Sequence, residues 1–184
     1  MTNIADIVRD IKNSSAPDGM LTRIIAVDGP GGAGKSTLAT RLAAALGDVP
    51  VVHTDDFASW ENPLEWWPRL IEQVLEPLSA NQTARYQRHD WDARNLAEWH
   101  EVAPDGYLIL EGVSASREAF RPYLTYRIWV ETPRDERLRR GLERDGESMR
   151  PQWEQWMSEE DGYIEREHPE QSADVVVSGI TELA

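Results

Sequence analysis

The sequence predicts an α/β domain: a parallel five-stranded sheet with helices on both faces. Three observations carry that expectation. Short apolar runs of strand length alternate with longer stretches of helical periodicity, the pattern that builds parallel sheets through crossover helices. The first apolar run ends in a glycine-rich loop that opens a helix. Two later runs end in acidic residues, at the place where an open parallel sheet faces its ligand crevice.

Taken in order, residues 2–12 read as a short amphipathic helix with Ile4, Ile7, Val8 and Ile11 on one face. Residues 14–19 read as a Ser/Pro/Asp/Gly loop, so 1–20 is expected to be a peripheral extension and 21–184 a single domain. Residues 23–28 form the first strand, and 36–46 a helix that ends near Gly47. Residues 49–53 are the second strand; 63–78 and 92–101 read as helices. Residues 107–110 are a buried strand bounded by Pro104, Gly106 and Gly112, and 127–131 a fourth. A charged helix over 133–145 starts on Pro133, which suits a first helical position. A helix over 151–167 and a fifth strand over 173–177 complete the domain. No repeat, low-complexity tract or linker interrupts it.

Composition narrows the function. A chain of 184 residues can bury a core without staples, and its 40% hydrophobic content is that of a folded protein. With no cysteine, disulfides, a cysteine-based zinc site and a thiol nucleophile are excluded. The net charge of −14 argues against nucleic acid as a partner, since that surface demands basic density. No basic-then-apolar leader and no apolar run of about 20 residues appears, so the expectation is a cytoplasmic protein with no membrane partner. No coiled-coil heptad points to an oligomeric state.

The strongest local signal is Gly29-Pro30-Gly31-Gly32-Ala33-Gly34-Lys35-Ser36, which matches G-x-x-x-x-G-K-[ST] in full. Here Gly29, Gly31, Gly32, Ala33 and Gly34 would let backbone N–H groups wrap phosphates, aided by the helix amino terminus. Lys35 would reach the β- and γ-phosphates, Ser36 would ligate Mg²⁺, and Thr37 would help at the α-phosphate. The cofactors implied are ATP and Mg²⁺. A rival reading exists. Gly29, Gly31 and Gly34 also satisfy the dinucleotide-binding spacing, with Asp55 where a ribose-binding acid would sit, but that reading leaves Lys35-Ser36 without a role.

The second strand runs into Asp55-Asp56-Phe57, and the third into Glu111-Gly112. Beside a phosphate loop, a strand-end carboxylate can orient an acceptor hydroxyl and take its proton. Glu111, an acid closing a buried apolar run, is a candidate for the metal's shell. Arg134, Arg137, Arg139, Arg140 and Arg144 crowd one helix, with 137, 140 and 144 on one face. Their forked donors suit phosphate oxygens, so this helix is a candidate lid, with a solvated charged helix as the plainer alternative. Trp60, Trp66, Trp67, Trp91 and Trp99, between the two acid-ended strands, are candidates to line a substrate pocket.

Together, the run from Val27 to Thr37, Asp55-Asp56-Phe57, Ile109-Leu110-Glu111-Gly112, Arg137-Leu138-Arg139-Arg140 with Arg144-Asp145, and the terminal run 173–177 closely resemble the uridine kinase-like branch of P-loop kinases, over roughly residues 23–180. The resemblance implies a P-loop NTPase fold of the nucleoside-kinase kind, with strand order 2-3-1-4-5 and a helical lid. It implies transfer of the γ-phosphate of ATP to a hydroxyl of a small metabolite. It makes Asp55 the catalytic base, Ser36 and Glu111 metal-site residues with Asp55 beside them, and Arg140 and Arg144 the lid arginines acting with Lys35. Three features depart: Ala58 stands where uridine kinases commonly have tyrosine, Gly141 stands where a second lid arginine is common, and the Tyr86–Trp99 stretch, with His89-Asp90-Trp91, is only loosely similar to their nucleoside-binding region. The competing class is an ATP-binding or ATP-hydrolysing regulatory module, which would need neither Asp55 nor the aromatic segment.

Overall fold

The computed structural model describes residues 3–59 and 61–180; Trp60 and the ends of the chain lie outside the described residues. Five parallel strands form the central sheet: β1 (Arg23–Asp28), β2 (Val51–His53), β5 (Tyr107–Glu111), β6 (Leu124–Glu131) and β7 (Val175–Ser178). Their spatial order is β2-β5-β1-β6-β7, which for these five strands taken in chain order is the expected 2-3-1-4-5. Because β5 lies between β1 and β2, the doubly wound dinucleotide order, which puts the second strand beside the first, is excluded.

The central strands are apolar along their length because helices cover both faces. Successive residues of β1 point to opposite sides: Ile24 and Ala26 join one core cluster, Ile25 and Val27 the other. The second cluster is closed by α1 (Ile4–Asn13) and α2 (Lys35–Ala45), through Ile7, Ile11, Leu38 and Leu42. Thus α1, expected as a peripheral extension, seats its apolar face in the core; Asn3 caps it by accepting the Asp6 N–H at 2.8 Å.

The first cluster is closed by a helical stretch that differs from the expected helix over 63–78. It begins later, as α3 (Trp67–Leu70), widens into a π turn (Ile71–Leu75) and continues as α4 (Glu76–Ser79). Pro77 has no N–H to give back to the preceding turn and its ring crowds that turn's carbonyl; the wide turn ahead of it accommodates both.

The larger correction concerns 92–101, expected as a helix. The structure has an antiparallel hairpin here, β3 (Ala84–Asp90) and β4 (Asn95–Val102), separate from the main sheet. Cross-strand pairs hold it: Arg88 Nε donates to Glu98 at 2.7 Å, Arg85 meets Glu101 at 3.0 Å, and the Tyr86 and His100 rings stack at 5.2 Å. Asp90 closes the turn by accepting the N–H groups of Asp92 and Ala93, and Arg94 takes a positive φ of 52°.

The last layer is α5 (Arg134–Asp145), α6 (Arg150–Glu167) and the short α7 (Pro169–Ser172). At the α5–α6 contact, a Cβ on Gly141 would lie 2.4 Å from the Trp153 indole. An arginine cannot occupy that position without displacing Trp153. Among the described residues, no helix is long and apolar enough to cross a membrane.

Candidate active site

The phosphate loop joins β1 to α2, and its backbone is shaped by close packing. Gly29, at φ 149°, lies so near β6 that a Cβ would come within 2.5 Å of the Val130 carbonyl oxygen. Gly32, at φ 76°, likewise packs on the backbone of α5, where a Cβ would meet the Arg137 carbonyl oxygen at 2.7 Å. Thr132 Oγ1 donates to the Ala33 carbonyl at 3.0 Å, and the buried Lys35 ammonium donates to the Pro30 carbonyl at 3.0 Å. Ahead of the loop, the buried Asp28 carboxylate accepts from the N–H groups of Gly29, Ser114 and Ser116, from the Ser116 hydroxyl and from the Tyr163 hydroxyl. With five donors satisfied, Asp28 braces the loop.

At the neighbouring strand ends, Ser36 Oγ donates to Glu111 Oε1 at 3.2 Å, and His53 Nδ1 lies 2.7 Å from Glu111 Oε2. Burial pushes the Glu111 carboxyl up, but the His53 hydrogen bond, Lys35 and Ser36 outweigh it and hold it below the usual carboxylate range. The same hydrogen bond raises His53 against its partial desolvation. A hydroxyl beside an ionised carboxylate is a hard oxygen pair suited to Mg²⁺, which keeps several waters and needs few protein ligands.

A cavity of about 1130 Å³ opens over the loop, and Lys35, Ser36, Asp55, Glu111, Arg140 and Arg144 all border it. Asp55 is solvent-exposed on the wall of this cavity. The protein packed around that wall still desolvates its carboxyl and raises it above the ordinary range, against the pull of Lys35. Asp56 faces elsewhere and accepts from the Tyr86 hydroxyl of the hairpin at 3.2 Å. The adjacent acids thus diverge at the strand end.

The two expected lid arginines differ. Arg140 is tethered: it donates to Glu136 at 2.8 Å, to the Gly32 carbonyl at 3.3 Å and to the Gly179 carbonyl at 3.1 Å. Arg144 is more exposed, pairs with Asp145 and lies over the Trp153 ring, 5.5 Å from its centroid. Arg137, predicted to share their face, is buried instead and donates to the Thr132 carbonyl at 3.1 Å.

The tryptophans are redistributed. Trp66 packs in the core with Phe57 and Phe120, while Trp99 is exposed. Trp91 donates to the Asp55 carbonyl at 3.0 Å. The indoles that line the cavity are Trp153 and Trp156 of α6, and Trp156 meets Trp91 edge-on at 5.6 Å. Sequence reasoning missed both, along with Glu160 on the same helix. The signal available was the i, i+3, i+7 spacing of Trp153, Trp156 and Glu160, which places them along one face.

Strand order, loop and helix amino terminus together define a P-loop NTPase domain. The chain belongs to the AAA domain family, whose model matches residues 25–170. No curated protein matches the sequence. Among solved structures, it is similar to a "possible uridine kinase" from Bacillus stearothermophilus, with TM-score 0.68 and 22% identity over 94% of this chain and 96% of the other. It is also similar to a "putative fructose transport system kinase" from Silicibacter sp. TM1040, with TM-score 0.69 and 18% identity over 96% and 100%. At such identities the likeness is one of fold, and the fold is the one the resemblance implied.

Proposed function

We propose that this protein is a small-molecule kinase that transfers the γ-phosphate of ATP to an acceptor hydroxyl. The observation that carries the proposal is Asp55: a strand-end carboxylate, raised by desolvation, bordering the same cavity as Lys35 and the Ser36–Glu111 pair. A nucleotide-binding module without an acceptor needs no such group. In this reading Gly29–Thr37 and Lys35 hold the phosphates, and Ser36 and Glu111, with Asp55 nearby, hold Mg²⁺. The ion, when bound, neutralises phosphate charge. Asp55 orients the acceptor hydroxyl and takes its proton, and Trp153 and Trp156 wall the cavity.

The experiment is ADP release from Mg²⁺–ATP in the presence of panels of nucleosides, vitamins and sugars. Release that rises at least about tenfold with one acceptor class supports the kinase; release indifferent to every acceptor favours the regulatory ATPase.

The arginines give a finer test. Arg144→Ala is expected to lower turnover by roughly 10²-fold, the usual cost of one donor to a developing charge, with little change in ATP affinity. Arg140→Ala is expected to weaken ATP binding as well, because its guanidinium ties the Gly32 carbonyl to the Gly179 carbonyl. Turnover and calorimetric ATP binding on the two variants check this; a change confined to thermal stability would make both arginines structural.

A further inference from the structure

Glu160 is a buried acid placed against a loop built for anions. It projects from α6, and its Oε1 accepts the Gly31 N–H at 3.0 Å. The approach depends on glycine: a Cβ at Gly31 would lie 2.9 Å from that oxygen and 3.2 Å from the Trp153 ring. The other oxygen, Oε2, lies 3.4 Å from Arg137 Nη1, a long contact to a guanidinium already committed to the Thr132 carbonyl. Burial raises the Glu160 carboxyl above the usual range; Lys35, the Gly31 N–H and Arg137 offset part of that rise, and Asp161 adds to it.

The charge is not needed for packing, since a glutamine has the same length and also carries an oxygen for the Gly31 N–H. Burying a carboxylate costs more than burying an amide. What the charge does is occupy the field of the loop. Glu160 borders the cavity, and Lys35 acts on it as it acts on Asp55 and Glu111.

We propose that Glu160 is an internal anion that competes with the terminal phosphates of the nucleotide for the phosphate loop, so that ATP binding displaces it and loosens α6. The inference rests on the nucleotide-binding reading above. Like charges at contact distance in a partly desolvated site repel strongly, and both are drawn to Lys35. Glu160 ties α6 to the Gly31 N–H and the Tyr163 hydroxyl ties it to Asp28; the first of these faces the cavity, where the phosphate offers Lys35 the greater charge. Since Trp153 and Trp156 ride on the same helix, release of Glu160 is felt along the cavity wall and, through Trp91, at the hairpin.

Two measurements on the full chain test it. Calorimetry with Mg²⁺–ATP, and with AMP as comparator, is run on the wild type and on Glu160→Gln. The expected result is an ATP Kd about tenfold lower in the variant, with a smaller change for AMP, which lacks the terminal phosphates. Hydrogen exchange of residues 150–167 in the wild type is expected to quicken when ATP is added. A folded Glu160→Gln variant that binds ATP equally or more weakly overturns the proposal, as does α6 exchange that slows or stays unchanged with ATP. Should the variant fail to fold, the exchange result on the wild type decides alone. If neither protein binds ATP, the nucleotide reading itself falls, and this inference with it.

Discussion

Lys35→Ala is expected to lower phosphoryl transfer by at least about 10³-fold. The lysine is buried where the phosphate loop meets α2, and its ammonium donates to the Pro30 carbonyl. It is also the counter-charge to Asp55, Glu111 and Glu160, all three of which feel its pull. Alanine therefore does more than remove a phosphate donor. It leaves three carboxylates bordering one cavity, whose mutual repulsion opposes any polyphosphate and raises their proton affinity. Both ATP affinity and turnover should fall, and turnover further, because negative charge moves onto the leaving β-phosphate in the transition state, on the side a phosphate-loop lysine serves. Single-turnover transfer and ATP calorimetry on the variant, with circular dichroism to confirm the fold, check this. Near-normal turnover in a folded Lys35→Ala protein would sink the phosphate-loop reading.

Features set by neighbouring residues were readable from the sequence, and features set by distant packing were not. The phosphate loop is a contiguous backbone device: Gly29 and Gly32 are required where β6 and α5 approach within a Cβ's reach, and Lys35-Ser36 follow at fixed offsets. Asp55 and Glu111 were readable because parallel strands deliver their carboxyl ends to one edge, so an acid there needs no tertiary knowledge to be placed. Glu160 touches Gly31 across 129 residues of chain, and no local pattern announces that contact. His53 was passed over for the acids beside it, since its partner Glu111 comes from another strand. The hairpin was lost for a different reason. Most of β4 is solvent-accessible on both faces, so the alternation that marks a half-buried strand is missing, and its Arg–Glu pairs join residues of two different strands, which no local pattern reports. That error matters to function, because the hairpin supplies Tyr86 to Asp56 and, in its turn, Trp91 to the Asp55 carbonyl.

Asp55→Asn is expected to lower transfer by about 10²–10⁴-fold while ATP still binds, the cost typical of losing a positioned base. The neighbouring acid supplies the control. Asp56 is held by the Tyr86 hydroxyl and does not border the cavity, and an asparagine there keeps an oxygen for the same hydroxyl, so Asp56→Asn should cost less than about threefold. Protonation sharpens the contrast. A base must be ionised to accept the acceptor's proton, and desolvation raises the Asp55 carboxyl, with Lys35 opposing and Glu111 adding to the rise. As pH falls, activity should therefore begin to drop at a higher pH than an ordinary aspartate would give. The loss follows protonation of Asp55, so the variant, which has no such proton to gain, should show a flat residual rate over that range. Single-turnover transfer against pH, at saturating Mg²⁺–ATP with the acceptor found in the screen, reads both effects on the wild type and the two variants. If Asp56→Asn is the crippled enzyme and Asp55→Asn is near normal, the base lies one residue later. If neither is impaired, the strand-end acids are structural, and the hydroxyl acceptor mechanism fails even where ATP binding survives.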